Sequence, residues 1–306
     1  MYKRQETDRL LRQFDSSRDY FGQITEENPL FVHMQPWYSS HTLQKVSFLA
    51  LVERQCKIPS VKAAIGVCLS AVLKGVSSQE RGWGCIADNV MPKNARLRDK
   101  EVFGRFMSHL KKLLKDIGEK VHQAPPTYHE VYEDAKNRES IVYSDVRVDQ
   151  EVVRDSVDIV ITSPPYPNMT DYVTSQRLSY YWQGVDPAED LRLEIGARRR
   201  RFSPDCLAKY RDDMRKAAKS MVKTLKDRGY VCLVMPVFRD TTQNDVARRQ
   251  TVDGFLADLR SCGLFEEEAF ERLLPYRRRE HNRKWATLEE ERIYLFRVDK
   301  GQCTKE

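Results

Sequence analysis

Residues 36–120 carry apolar positions three and four residues apart, which is the spacing along one face of an α-helix. Two stretches show it most clearly, at Leu43, Val46, Leu49 and Ala50, and at Phe103, Phe106, Leu110, Leu113, Leu114 and Ile117. The apolar run 61–76 has the length of a short buried helix. The pattern predicts a helical layer over residues 1–122, and the paired prolines of QAPP predict a linker over 123–139.

From residue 140 onward, short β-branched runs alternate with amphipathic stretches. Four runs predict strands: SIVYSD at 140–145, VDIVIT at 157–162, YVCLVMPV at 230–237 and RIYLFRV at 292–298. Alternation of this kind is typical of α/β folds with a largely parallel sheet. We therefore predict an α/β region over residues 140–300.

Two helices are predicted between these strands. Ser203, Pro204 and Asp205 provide a helix N-terminus, and an apolar face follows until Gly229 ends the helix. This helix would connect the second and third predicted strands as a crossover. Another helix, ending at Gly263, leads into the polar segment LFEEEAFERLLPY, which we predict to be an edge strand.

The composition is that of a folded protein with locally basic segments. The chain has 306 residues, of which 41% are apolar, and its 52 basic and 45 acidic side chains give a formal charge of +7. Two arginine runs stand out: Arg198, Arg199, Arg200 and Arg201, and then Arg277, Arg278 and Arg279. Such runs either bind a polyanion or form solvated loop surfaces, and the charge pattern leaves both open.

Neither the cysteines nor the N-terminus indicates an exported protein. The seven cysteines form no CxxC pair, which argues against a zinc site and a disulfide framework. The stretch MYKRQETDRLLRQ is too charged for a secretion signal, and no apolar run approaches the roughly 18–20 residues of a membrane span. We therefore predict a cytoplasmic protein without a metal or a membrane partner.

The segment Ser163-Pro164-Pro165-Tyr166 directly follows the strand 157–162, which we predict to be buried, and open α/β sheets bind ligands at such strand ends. The prolines stiffen the turn and leave carbonyl oxygens for a ligand. A base amine is a poor nucleophile because its lone pair is delocalised. If the Ser163 side chain and the Pro164 carbonyl accept its N–H groups, the lone pair can attack a methyl donor. Tyr166 would stack on the base, which must leave the duplex.

The string TSPPYPNMTDY, with QRLSYYW after it, resembles the motif of the bacterial DNA amino-methyltransferases, which modify cytosine N4 or adenine N6. The resemblance covers residues 140–298 and, more weakly, the helical half. It implies a Rossmann-like methyltransferase sheet, S-adenosylmethionine as cofactor, and double-stranded DNA with a flipped base as substrate. Serine at the first motif position favours cytosine N4, because aspartate or asparagine is commoner there in adenine enzymes.

The resemblance also implies roles for single residues. Asp145 matches the acidic position after the third strand, near the cofactor's adenine, and Ser163 also lies beside the cofactor. Asp145 is alternatively a turn-starting residue. Asn168, Asp171 and Tyr172 are candidates for the base pocket, although PNMTDY is equally typical of a turn with a helix N-cap. The arginine runs are expected to contact DNA phosphates.

One part of the family pattern is missing, because no glycine-rich turn of the DPFxGxG type follows a predicted strand. The first and second family strands, which lie between the third and fourth, are missing with it. Each backbone group left unpaired in such a gap costs about 1–3 kcal/mol. We therefore predict that a second polypeptide carrying the glycine-rich motif completes the sheet. The alternatives are a lost N-terminal coding segment and a divergent cofactor site in the helical half.

The sequence leaves three functions open. The first is a DNA methyltransferase subunit for cytosine N4, with adenine N6 as the nearest variant. The second is a non-catalytic DNA-recognition subunit in which the motif is only a structural turn. The third is methylation of an RNA base or a glutamine side chain, and the serine and the trailing DY argue against it.

Overall fold

The structure is a computed structural model that describes residues 13–79, 91–92, 97–123, 140–148, 152–274 and 288–302. These residues form two compact units. The helical unit comprises the described residues within Met1–Arg81, Ala87–Ser140 and Val173–Glu189, and the sheet unit comprises those within Ile141–Tyr172 and Asp190–Glu306. The region 140–300 therefore contributes residues 173–189 to the helical unit.

The helical unit has one apolar core. Its main elements are α1 (Tyr20–Glu27), a 3-10 helix (Pro29–Trp37), α2 (Ser40–Gln55), α3 (Pro59–Val76) and α4 (Val102–Gln123). The short helices α5 (Tyr172–Ser175) and α6 (Arg177–Gln183) come later in the chain. Leu49, Leu69 and Phe106, from three different helices, are buried in this core. The predicted helical layer is thereby confirmed for the described residues.

Helix α3 is longer than the sequence pattern suggested. It has 18 residues and a mean hydropathy of 1.4, which suffices by length and composition for a membrane span. The expectation that no apolar run approaches this length is therefore wrong. One side of the helix, including Ile65, Leu69 and Leu73, is buried in the core of the helical unit. Core helices can reach the same length and hydropathy, and this packing accounts for the apolar residues on that side.

The sheet unit contains a four-stranded sheet in the order β1-β2-β4-β3. The strands are β1 (Val157–Thr162), β2 (Leu225–Val237), β3 (Leu264–Leu273) and β4 (Glu290–Val298). β1 and β2 are parallel, whereas β4 is antiparallel to both β2 and β3. The α/β class is confirmed. The prediction of a largely parallel sheet is wrong for the described strands, because β4 runs back between its two neighbours.

Three helices accompany these strands, namely α7 (Ala188–Leu193), α8 (Cys206–Thr224) and α9 (Gln243–Leu259). α8 is the predicted crossover between β1 and β2, but it ends at Thr224, and Gly229 lies within β2. A short 3-10 turn extends α9 to Gly263, whose φ of 83° ends it as predicted. α8 and α9 pack against one side of the sheet, where Met214 and Phe255 share a core with Leu233.

Two expectations about the start of the sheet are wrong. Residues 140–145 form no strand, and all but Asp145 are exposed. β1 is not a buried strand either, because β2 is the one described strand that pairs with it. Ile159 is 48% exposed and Ile161 is 72% exposed, and because they lie two residues apart they share one face of the strand. In the described part of the chain, β1 therefore forms one edge of the sheet.

Candidate functional site

The SPPY turn (residues 163–166) begins directly after β1 and has no regular secondary structure. Thr162, the last residue of β1, pairs with Leu233 of the parallel strand β2. The turn therefore lies at the carboxyl end of β1, where open α/β sheets bind ligands. Ser163 is exposed, whereas Pro164 is buried. The serine side chain is thus accessible to a ligand that approaches this end of the sheet.

The two proline carbonyls differ in their surroundings. The Pro165 carbonyl accepts a 2.9 Å hydrogen bond from the Tyr210 hydroxyl of α8. The Pro164 carbonyl accepts none from any described residue, although Pro164 itself is buried. Carbonyls in the interior of proteins nearly always have a donor. The Pro164 oxygen is therefore an acceptor without a described donor, and Tyr210 fixes the turn directly beside it.

Tyr166 is anchored at its hydroxyl. This hydroxyl donates a 2.6 Å hydrogen bond to Glu291 Oε1 on β4. Burial and then the Glu291 carboxylate raise the pKa of Tyr166 well above its ordinary value, while the Ser163 side chain lowers it by less. The phenol is therefore protonated at neutral pH. Because its far end is tied to the sheet, the ring is held in one orientation next to Ser163.

Asn168 shapes the chain immediately after the turn. Its φ of 55° is left-handed, a conformation that asparagine tolerates better than most residues. Its backbone N–H donates to Gly196 O at 2.9 Å, and its Nδ2 donates to Cys206 Sγ at 3.1 Å. It lines a pocket of about 130 Å³ together with Tyr210 and Asp213 of α8. Its described contacts thus hold the loop, and its role in a base pocket stays a prediction.

The other two base-pocket candidates lie a few residues further on. Asp171 is buried, and its Oδ1 accepts a 2.8 Å hydrogen bond from the Arg199 backbone N–H. The same carboxylate lies 3.6 Å from the Arg199 guanidinium. Tyr172 is 46% exposed, and its backbone N–H donates to Glu194. Asp171 therefore positions the arginine run, and a role of Asp171 or Tyr172 in a base pocket stays a prediction.

The four arginines at 198–201 are not equivalent. The Arg199 guanidinium pairs with the buried Glu194 and also binds the Leu191 carbonyl. Arg200 donates to three backbone carbonyls between residues 191 and 194. Arg198 makes no side-chain hydrogen bond or ion pair with a described residue, and Arg201 is exposed. Arg277, Arg278 and Arg279 lie outside the described residues.

Asp145 lies in a turn and not at the end of a strand. Its carboxylate pairs with Arg147 at 2.6 Å, and Arg147 also lies 3.0 Å from Asp213 on α8. Hydrogen bonds from Arg147 lower the pKa of Asp145. The alternative of a turn-starting aspartate thus describes its local structure, because its side chain accepts from the Arg147 backbone N–H. Contact with a cofactor stays a prediction for this residue.

Sequence reasoning did not find two residues that support the site. Glu291 is 125 positions from Tyr166 in the chain, so no local pattern connects them. Helical spacing predicts the buried ring of Tyr210 on the apolar face of α8, but it does not predict the hydrogen bond of its hydroxyl. Among the described residues there is no group of three His, Cys, Asp or Glu side chains able to bind a metal ion.

Comparisons with known proteins add little to this geometry. No family model matches the chain, and no curated protein matches it. One solved structure that matches is described as a "putative sarcosine dimethylglycine methyltransferase" from Galdieria sulphuraria. The identity is 12%, the match covers 90% of this chain and 98% of the other, and the TM-score is 0.28. A score of this size does not establish a shared fold.

Proposed function

We propose that this chain is the base-binding part of an S-adenosylmethionine-dependent DNA methyltransferase whose target is most consistent with cytosine N4. The observation that carries the proposal is the SPPY turn at the end of β1, where the Pro164 carbonyl lacks a described donor and Ser163 is exposed beside it. Two acceptors next to a tethered aromatic ring suit a planar base with an exocyclic amine.

Each residue of the turn has a separate role in binding and activating the base. Ser163 and the Pro164 carbonyl accept the two N–H bonds of the amine, which localises the nitrogen lone pair and stabilises positive charge as it develops there. Tyr166 stacks on the base and partly offsets the cost of unstacking it from the duplex. Tyr210 and Glu291 hold the turn and the ring, so that little reorganisation is needed when the base binds.

The described residues fit the acceptor side of this reaction better than the cofactor side. When bound, S-adenosylmethionine would supply the methyl group as an electrophilic sulfonium: the S–CH3 bond would break as the N–CH3 bond forms, S-adenosylhomocysteine would leave as a neutral thioether, and the amine would lose one proton to solvent. No described glycine-rich turn follows a strand to approach its methionine end. We therefore also propose that a second polypeptide with such a turn pairs with β1 and completes the cofactor site. The open edge of β1 and its exposed isoleucines support this.

A non-catalytic DNA-recognition subunit is the second candidate. It is favoured by the two tethers of the turn, because hydrogen bonds from Tyr210 and to Glu291 would also suit a purely structural loop. Adenine N6 is the variant of the first proposal. The base that acquires the methyl group separates these possibilities directly.

The test is methyl transfer from radiolabelled S-adenosylmethionine to unmethylated bacterial DNA, followed by mass spectrometry of the nucleosides. The chain is assayed alone and with a neighbouring gene product that carries DPFxGxG. We expect N4-methylcytosine in the combined reaction and a loss of at least 100-fold in Ser163→Ala, because one of two acceptors is removed. Ser156→Ala, an exposed serine before β1, is the matched control and should retain activity.

N6-methyladenine in place of N4-methylcytosine would move the target to adenine. DNA binding without any methylated product in either reaction would support the recognition subunit and contradict the enzymatic proposal.

A further inference from the structure

The residues that follow the arginine run carry an exposed aromatic ring. Phe202 is 81% exposed, and the Arg201 guanidinium lies over its ring at 4.2 Å from the centroid. Phenylalanine loses a large favourable burial energy when it is left in water. A cation over the face of an exposed ring stabilises it only weakly. The position therefore suggests a ring that is buried against a partner.

The basic turn (residues 198–202) is held next to the SPPY turn by the backbone. Arg198 N–H donates to Thr170 O at 3.3 Å, and Gly196 O accepts from Asn168 N–H at 2.9 Å. Gly196 has a φ of 65°, and a Cβ there would lie 3.4 Å from the Tyr166 carbonyl oxygen and would collide with the Tyr210 ring of α8, so the chain before the basic turn approaches the SPPY turn closely. The basic turn would therefore lie beside the sugar-phosphate backbone of a nucleotide whose base is bound at the SPPY turn.

The arginines of this turn differ in their contacts: the first three are half-buried, whereas Arg201 is exposed and donates to Arg198 O at 3.2 Å. Arg199 and Arg200 use their guanidinium groups on Glu194 and on backbone carbonyls. Arg198 is half-buried without a described ion pair. Burial and the charge of Arg201 lower the pKa of Arg198, and nearby Asp171 only partly opposes this. A cation in such surroundings gains from an added anion.

We propose that the basic turn grips duplex DNA beside the target base, with Arg198 and Arg201 on backbone phosphates and Phe202 inserted into the base stack. This inference rests on the proposed function and assigns separate roles within the arginine run. Phosphate is the anion because planar guanidinium groups bind it bidentately, and an apolar wedge between base steps lowers the energy needed to unstack a base. Arg199 and Arg200 shape the turn and do not contact the DNA.

The experiment measures binding of the full chain to a short DNA duplex as a function of salt, which needs neither a known recognition sequence nor methyl transfer. Each phosphate contact contributes about one unit to the slope of log K against log salt concentration. We expect Arg198→Gln and Arg201→Gln each to lower the slope by about one. Arg215→Gln, an exposed arginine of α8 that pairs locally with Asp212, should leave it unchanged.

Phe202 requires a different readout, because it carries no charge. We expect Phe202→Ala to keep the salt slope but to weaken binding to a fully paired duplex about tenfold, as for one lost stacking contact. A duplex with an abasic gap already has an opening, so the variant should lose much less affinity there. Phe270→Ala on β3, a ring that is 52% exposed, is the matched control.

The outcomes separate this inference from the proposed function when methyl transfer is measured on the same preparations. Unchanged slopes in both arginine variants, or equal losses on the two duplexes for Phe202→Ala, overturn the inference even if N4-methylcytosine forms. A wild-type chain that does not bind duplex DNA overturns it as well. Reduced slopes without any methylated product leave the basic turn as a DNA contact and reject only the enzymatic proposal.

Discussion

The two edges of the four-stranded sheet are built from different residues. The β3 edge is rich in charge, since Glu267 and Glu271 pair with arginines of β4, and a register shift at Glu266 distorts the strand. The β1 edge has the sequence VDIVIT, with one carboxylate, Asp158, that pairs with Lys226. Charges and bulges at an edge discourage pairing with another strand. β3 is thus protected as a true edge, whereas β1 has the composition of an inner strand.

The composition of β1 also contrasts with its position at the edge of the sheet. Parallel strands occur mostly in sheets that are covered on both faces. β1 is parallel to β2, yet its Ile161 is 72% exposed. An inner-type strand at an open edge is the feature that favours completion by another polypeptide, and the comparison with β3 shows that the chain can protect an edge where it needs one.

The largest expected effect comes from charge on the β1 edge. Ile161→Lys combined with Ile159→Lys should abolish association with the partner polypeptide and lower methyl transfer by more than 100-fold in the combined reaction, because a partner that completes the sheet would cover the face of β1 that carries both charges. Phe270→Lys at the β3 edge should change either quantity by less than threefold. Association is measured by analytical ultracentrifugation of the two purified chains.

Equal effects at the two edges would show that pairing with the partner polypeptide is not specific to β1. The free energy of unfolding of the isolated chain controls for misfolding, and exposed positions are expected to change it by less than about 0.5 kcal/mol.

A smaller effect tests whether the segment before β1 is firmly attached to the sheet unit. A weakly attached segment would be a second explanation for the exposure of β1. Arg147 is 13% exposed and pairs with Asp145 and Asp213. Arg147→Ala would leave the nearly buried Asp213 without its cation, which costs about 3–5 kcal/mol for a buried pair. We expect a loss in this range in denaturant unfolding. A loss below about 1 kcal/mol would mean that the segment before β1 is not firmly attached.

The smallest effect concerns Glu291, which lies on the strand between β2 and the protected edge. It accepts from the Tyr166 hydroxyl at 2.6 Å and lies 3.6 Å from Arg272 of β3. Tyr166→Phe and Glu291→Gln should each destabilise the chain by about 1 kcal/mol, with a double-mutant coupling of similar size. Tyr143→Phe, whose hydroxyl bonds Asp190 in an exposed position, should cost less.

Strictly additive losses in that cycle would show that the bond does not restrain Tyr166. Methyl transfer by Tyr166→Phe is a useful second readout. The ring that stacks on the base is retained, so a reduced kcat with an unchanged KM would report the lost tether and not lost binding.

Local patterns identified most of the elements correctly. The apolar spacing gave α2, α3 and α4, and β-branched runs gave β1, β2 and β4. The run SIVYSD failed because β-branched residues favour a strand only where a neighbour supplies hydrogen bonds and a face to pack against. Residues 140–145 pair with no described strand, and all of them but Asp145 are exposed.

The sequence alone determined that a stiff proline turn with Ser163 and Tyr166 follows a strand, because both features depend on neighbouring residues. Which polar groups have a hydrogen-bond partner depends on the tertiary structure. Glu291 and Tyr210 reach the turn from 125 and 45 positions away in the chain, and Arg199 turns inward while Arg198 stays without a described partner. Hydrogen bonding and burial depend on distances between remote segments, and chain packing sets those distances.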